Sequence, residues 1–154
     1  MRTIEAEKII ETVAQLCKDT NYKLGEDVIT AYKESLAAED SEVAQEILGQ
    51  LIENAEIAKE KEMPICQDTG MAVVFLEIGQ DIKLRGDDLN TAVNEGVRKG
   101  YEEGYLRKSV VNDPLLEREN TGDNTPAVIH TKIVPGSELK ITVAPKGFGS
   151  ENMS

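Results

Sequence analysis

Four neighbouring side chains of different chemistry stand out first: Cys66, Gln67, Asp68 and Thr69 place a thiol, an amide, a carboxylate and a hydroxyl in consecutive positions. Pro64 and Gly70 bracket them. Proline interrupts helix and glycine tolerates positive φ, so the stretch reads as a fixed loop that aims side chains. Cys66 has three possible roles. As a nucleophile it needs an imidazole, and His130 is the single histidine. As a metal ligand it needs two or three companions, and the chain has no second Cys-x-x-Cys or Cys/His cluster. As a plain loop thiol it needs nothing. Asp68 can serve as a general acid or base, or accept a turn hydrogen bond. Arg107 stands out in an acidic chain; it can grip a carboxylate with two parallel hydrogen bonds or merely offset nearby acids. Gly147 and Gly149 follow a strand-like stretch, where bare backbone N–H groups can approach an anion, although Lys146 precedes the glycines and no Walker pattern is present.

The elements that must position these groups follow from periodicity. Thr3 to about Lys18 has Ile4, Ile9 or Ile10, Val13 and Leu16 at helical spacing, with Thr3 as cap and Cys17 on the core side. Glu26 to Ala38 predicts a second helix. A third, capped by Ser41, carries Val43, Ile47, Leu48, Leu51, Ile52 and Ala55 in steps of three and four. After the Cys66 loop, the five apolar residues from Ala72 to Leu76 read as a buried strand, and a polar connection through Gly79 to Gly86 follows. Asp87 or Asp88 starts another helix bearing Leu89, Ala92, Val93 and Val97; Gly100, Tyr101, Gly104 and Tyr105 then loosen its pattern. The stretches Asn112 to Pro114 and Asn120 to Pro126 predict an extended loop region. Ala127 to Val134 and Glu138 to Ala144, joined by Pro135-Gly136-Ser137, predict a hairpin.

The fold class expected is α/β (α+β): one domain over 1–154, with a helical cluster over 1–60 packed on a mixed sheet over 61–154 that ends in a C-terminal hairpin. A chain of 154 residues can bury a core of its own. Its net charge of -12, from 29 acids against 17 bases, argues against nucleic-acid and anionic-membrane partners. With no Trp and 4% aromatic residues, base stacking has little to work with. No apolar run reaches the roughly 20 residues of a bilayer span, and two cysteines in a charged chain fit a reduced, cytoplasmic setting. The sequence stops within its last glycine loop, which makes a longer natural protein the expectation.

In order along the chain, Pro64 to Gly70, Gly104 to Arg107, Ser109 to Val111, Asn120 to His130 and Lys146 to Asn152 resemble the alpha subunit, or N-terminal region, of the iron-sulfur (class I) fumarate hydratase and tartrate dehydratase family. The resemblance implies a hydro-lyase acting on a C4 dicarboxylate, such as fumarate to malate or tartrate to oxaloacetate. It implies a [4Fe-4S] cluster held by three cysteines, one of them Cys66, with an open iron acting as Lewis acid. It also implies a diacid pocket lined by Gln67, Asp68, Arg107 and Gly149 and continued by Asn152, Met153 and Ser154, with Asp68 as the catalytic candidate. The remaining ligands and the residues for proton abstraction would come from a beta subunit or C-terminal half, in an oligomer, so this chain alone would be inactive. Two rivals stay open: a non-catalytic module that binds a dicarboxylate or docks a subunit, and a thiol enzyme pairing Cys66 with His130.

Overall fold

The computed structural model describes residues 1–149. In chain order the elements are β1 (Arg2–Glu5), α1 (Ala6–Tyr22), α2 (Glu26–Ala38), α3 (Glu42–Lys61), β2 (Met71–Gly79), β3 (Ile82–Arg85), α4 (Leu89–Glu103), β4 (Val128–Val134) and β5 (Leu139–Lys146). Local chemistry explains most boundaries. The Ser41 hydroxyl accepts from the Ala44 N–H, and the Asp88 carboxylate accepts from Asn90 and Thr91 N–H, so α3 and α4 begin where a polar side chain can satisfy their first amides.

The sheet is mixed, and β2 is its centre: β4 runs parallel on one side and β5 antiparallel on the other. The expected hairpin is therefore corrected, because β4 and β5 are both strands but do not pair with each other. Beyond β2 the chain threads between them: Gly79 N–H donates to Glu138, Gln80 N–H to Val134 and Asp81 N–H to Gly136. Physically, β2 buries Ala72, Val74, Leu76 and Ile78, and a strand so apolar is most stable where both edges are hydrogen-bonded.

The start of the chain also differs from expectation. Arg2 to Glu5 form a strand rather than the first helical turn, pairing parallel with β3 in a separate two-stranded sheet. Thr3 is thus not a cap; α1 begins at Ala6 and runs on to Tyr22. β3 in turn occupies the segment expected to be a polar connection. Each strand is only four residues long; in β3 the alternation of Ile82 and Leu84 with Lys83 and Arg85 is the half-buried strand pattern that the polar-connection reading passed over.

The core lies between β2 and the pair α1 and α4, with Ile9, Val13, Cys17, Val74, Leu76, Val93, Val97 and Tyr101 at its heart. The two helices approach closely because α4 presents a glycine: a Cβ on Gly100 would stand 2.8 Å from the Ala14 carbonyl oxygen and 2.9 Å from Cys17 Cβ. α2 buries no residue and α3 only Ala55 and Ala58, so these two helices form a hairpin at the margin of the core.

Candidate functional site

Cys66 sits in the loop between α3 and β2, and it is exposed. Its sulfur receives the Asp68 backbone N–H at 3.4 Å and lies 3.4 Å from Gln67 Oε1. Cys17 is the opposite case. It is fully buried within α1, and burial pushes its thiol from the ordinary 9.0 up to about 12. The two thiols are not bonded to each other.

Asp68 joins the Cys66 loop to the chain after β5. Its Oδ2 accepts from Gly149 N–H at 2.8 Å and from Phe148 N–H at 3.1 Å. These two loops meet because β2 and β5 are antiparallel neighbours, with Met71 opposite Lys146, so the chain entering β2 and the chain leaving β5 lie at the same end of the sheet. Gly70 completes the junction. Its φ is +62°, and a Cβ there would collide with the Lys146 backbone. The Gly149 N–H above all, then the Phe148 and Gly70 N–H groups and the Arg107 charge, hold the Asp68 carboxyl below the usual carboxylate range, so it is ionised at neutral pH.

Arg107 lies in the loop after α4. Asp68, Met71, Arg107, Ser109, Val110, Val111, Pro114, Phe148 and Gly149 line one cleft of about 450 Å³. The volume suits a small molecule. The carboxylate, guanidinium and backbone N–H groups give its floor polar handles, and the valines and Phe148 give it apolar walls.

A buried polar network sets the loops in place. Thr69, 2% exposed, donates from Oγ1 to the Arg107 carbonyl at 2.9 Å. Tyr101, 1% exposed, donates from its hydroxyl to the Thr69 carbonyl at 2.8 Å. Burial raises that phenol's pKa well above its ordinary range, so it stays a donor. Asn124, 0% exposed, donates to the Gly70 carbonyl at 3.1 Å and accepts from Ser109 N–H at 2.8 Å and Val110 N–H at 3.2 Å. Sequence reasoning missed all three as site-shaping residues. Tyr101 sits among glycines that disguise the last turn of α4, and a buried asparagine has the same sequence appearance as a turn asparagine.

Of the residues expected at the site, the structure brings Asp68, Arg107 and Gly149 together, with Cys66 and Gln67 adjacent in the same loop. Asn152, Met153 and Ser154 lie outside the described residues. His130 is placed elsewhere: it stacks on Phe75 on the sheet's outer face, with ring centroids 5.0 Å apart, and lines a separate cleft with Glu77, Lys132, Lys140 and Thr142. A Cys66–His130 nucleophile pair has no geometric support.

Among the described residues no cluster of three or more His, Cys, Asp and Glu could hold a metal ion. One exposed thiol with an N–H donor at its sulfur fits a single ligand to a shared group, and Cys17 is sealed in the core. The residues present fit one corner of a cluster and no more.

Fold and loops together define an α/β domain with a small cleft at one end of its central strand. The chain belongs to the fumarate hydratase (fumerase) family, whose model matches residues 10–154. A Methanocaldococcus jannaschii protein provisionally named L(+)-tartrate dehydratase subunit alpha is 39% identical over 151 residues, covering 96% of this chain and 53% of that protein. The anaerobic class I fumarate hydratase of Escherichia coli K12 is 34% identical over 155 residues, 97% of this chain and 27% of that protein. The L(+)-tartrate dehydratase subunit alpha of Escherichia coli UTI89 is 27% identical over 144 residues, 92% of this chain and 47% of that protein. The chain thus spans about half the length of the tartrate dehydratase subunits and about a quarter of the fumarate hydratase.

Proposed function

We propose that this chain forms part of a hydro-lyase that reversibly adds water to, or removes it from, a C4 dicarboxylate, such as fumarate to malate or tartrate to oxaloacetate. One observation carries the reading: Asp68, two residues from an exposed thiol, reaches the Phe148 and Gly149 N–H groups in a cleft that also holds Arg107. The family and the names of the relatives agree with it.

In this reading Cys66 is one of three cysteine ligands of a [4Fe-4S] cluster, the other two coming from the C-terminal part of the same subunit. When bound, the cluster supplies a Lewis acid that polarises the hydroxyl to be lost. This chain's own residues do the rest of what is described here. Arg107 grips one substrate carboxylate bidentately. Gly149 N–H, with the segment through Asn152, Met153 and Ser154, serves the second, and Gln67 donates from its amide. Those N–H groups hold the Asp68 carboxylate when no substrate is present, so an arriving carboxylate competes with Asp68 and frees it to hold or move a proton. The apolar walls from Val110, Val111 and Phe148 limit water around the ion pairs and strengthen them.

The acidic, thiol-bearing chain fits a cytoplasmic enzyme, and among the described residues no helix is long and apolar enough to cross a membrane. The working form is an oligomer with its complementary subunit or domain. The test is to reconstitute the intact enzyme anaerobically with iron and sulfide and assay fumarate, malate and tartrate. Turnover should appear with the cluster and decay in air. Full activity in iron-free, air-treated protein would refute the reading.

A further inference from the structure

The stretch Asn120 to Pro126 lies outside the groups assigned to ligand or substrate, yet it is tied to the site at five points. Asn120 Nδ2 donates to the Lys108 carbonyl at 3.0 Å, Thr121 N–H donates to the Val110 carbonyl at 3.0 Å, and Asn124 makes the three bonds to Gly70, Ser109 and Val110. Within this stretch Asn124 is the side chain that hydrogen-bonds both loops, which the Thr69 hydroxyl also ties directly through the Arg107 carbonyl. Asn124 Oδ1 holds the segment after Arg107 and its Nδ2 holds the loop carrying Cys66, Gln67 and Asp68. Its backbone is left-handed, φ 63°, a conformation asparagine tolerates far better than most residues, so the amide is presented inward by a turn few other side chains would accept. No buried side-chain nitrogen or oxygen is left unpartnered among the described residues.

We infer that Asn124 is a positioning residue: alongside the Thr69 hydroxyl on the Arg107 carbonyl, its amide sets the separation between the Asp68 loop and the segment after Arg107, and so the span over which the two carboxylates of a diacid are gripped. The inference rests on the diacid reading above. An amide suits the task because a donor and an acceptor on one rigid plane tie two backbones at a fixed distance, and 0% exposure leaves no water to substitute for either bond. Aspartate keeps the acceptor and loses the donor. Glycine keeps the backbone turn and loses both.

The experiment uses the intact enzyme. KM and kcat are measured with its diacid substrate, and the dissociation constant of succinate, a four-carbon diacid with no hydroxyl to lose, is measured by calorimetry. Asn124→Gly should raise both KM and the succinate constant about tenfold, the scale set by losing a buried hydrogen-bonded pair, while kcat changes far less. Asn124→Asp should free the Gly70 side only, leaving the Ser109 and Val110 amides slow to exchange with deuterium where Asn124→Gly speeds them. In an Arg107→Ala background, Asn124→Gly should add little further loss, because its effect runs through Arg107. If Asn124→Gly lowered only the melting temperature, with KM and succinate affinity of the folded protein unchanged, or if its effect simply added to that of Arg107→Ala, the inference would be overturned. Failure of the wild-type enzyme to bind succinate or turn over any diacid would instead overturn the diacid reading, and this role with it.

Discussion

Cys17 and Cys66 are the same residue type in two regions governed by different physics. Around Cys17 the molecule is an apolar joint: α1 and α4 close on each other through Gly100, and the thiol is held protonated by burial. Around Cys66 it is a junction of loops held by hydrogen bonds, with the sulfur exposed and a backbone N–H turned toward it. What a cysteine can do is decided by what surrounds it; the first region supplies packing, and the second leaves its thiol open to a ligand. Tyr101 links them, with its ring in the core and its hydroxyl on the Thr69 carbonyl.

That division predicts effects that do not cross over. The largest should come from Asp68→Asn in the intact enzyme: kcat should fall about a hundredfold, the lower end for losing a positioned acid or base, while the denaturation midpoint hardly moves. A large loss of stability with kcat retained would reverse the assignment. Gly70→Ala comes next, since it strikes where the regions meet. The left-handed φ and the collision with the Lys146 backbone should cost about 1–3 kcal/mol in denaturant unfolding, accompanied by weaker diacid binding as the Asp68 loop is displaced.

A smaller effect belongs to Cys17. Replacing it by serine buries a hydroxyl in an apolar joint and should cost about 1–3 kcal/mol, with the folded fraction keeping its kcat and KM. Its titration gives a further signal. The folded pKa of about 12 lies above the ordinary 9.0 expected once the chain unfolds, so this contribution to stability is complete below pH 9 and is lost as pH rises toward 12. The loss approaches about 1.4 kcal/mol per pH unit inside that window. The difference in stability between wild type and Cys17→Ala should shrink across it. A constant difference would mean that the thiol is solvated in the folded protein.

The two regions were not equally legible in the sequence. The helices were largely readable: α2 spans the residues its pattern predicts, Ser41 caps α3 as expected, Asp88 is the cap where Asp87 or Asp88 was expected to start α4, and Cys17 faces the core, because apolar spacing and capping chemistry are local signals. Pairing was not. The short Pro135-Gly136-Ser137 connection suggested a hairpin, but β2, distant in sequence, takes the space between β4 and β5. β1 and β3 pair between residues far apart in sequence, a partnership that no local pattern encodes, although the Ile82-Lys83-Leu84-Arg85 alternation marks β3 itself as a strand. At the site, the loop carrying Cys66 and Asp68 announced itself by residue type, whereas Thr69, Tyr101 and Asn124, which hold that loop against Arg107, acquire their roles only from burial.

The claim on which the rest depends is that Cys66, and not Cys17, is a ligand to an iron-sulfur group beside a diacid cleft. It is tested most directly by anaerobic iron and sulfide analysis and visible absorbance of the intact enzyme carrying Cys66→Ser or Cys17→Ser. Second-sphere changes at metal sites cost about 10–100-fold in affinity or activity, so loss of a direct ligand should cost more. Cys66→Ser should lose the absorbance, the bound iron and diacid turnover together, while folded Cys17→Ser keeps all three. A Cys66→Ser enzyme with full iron content and unchanged turnover would contradict the account.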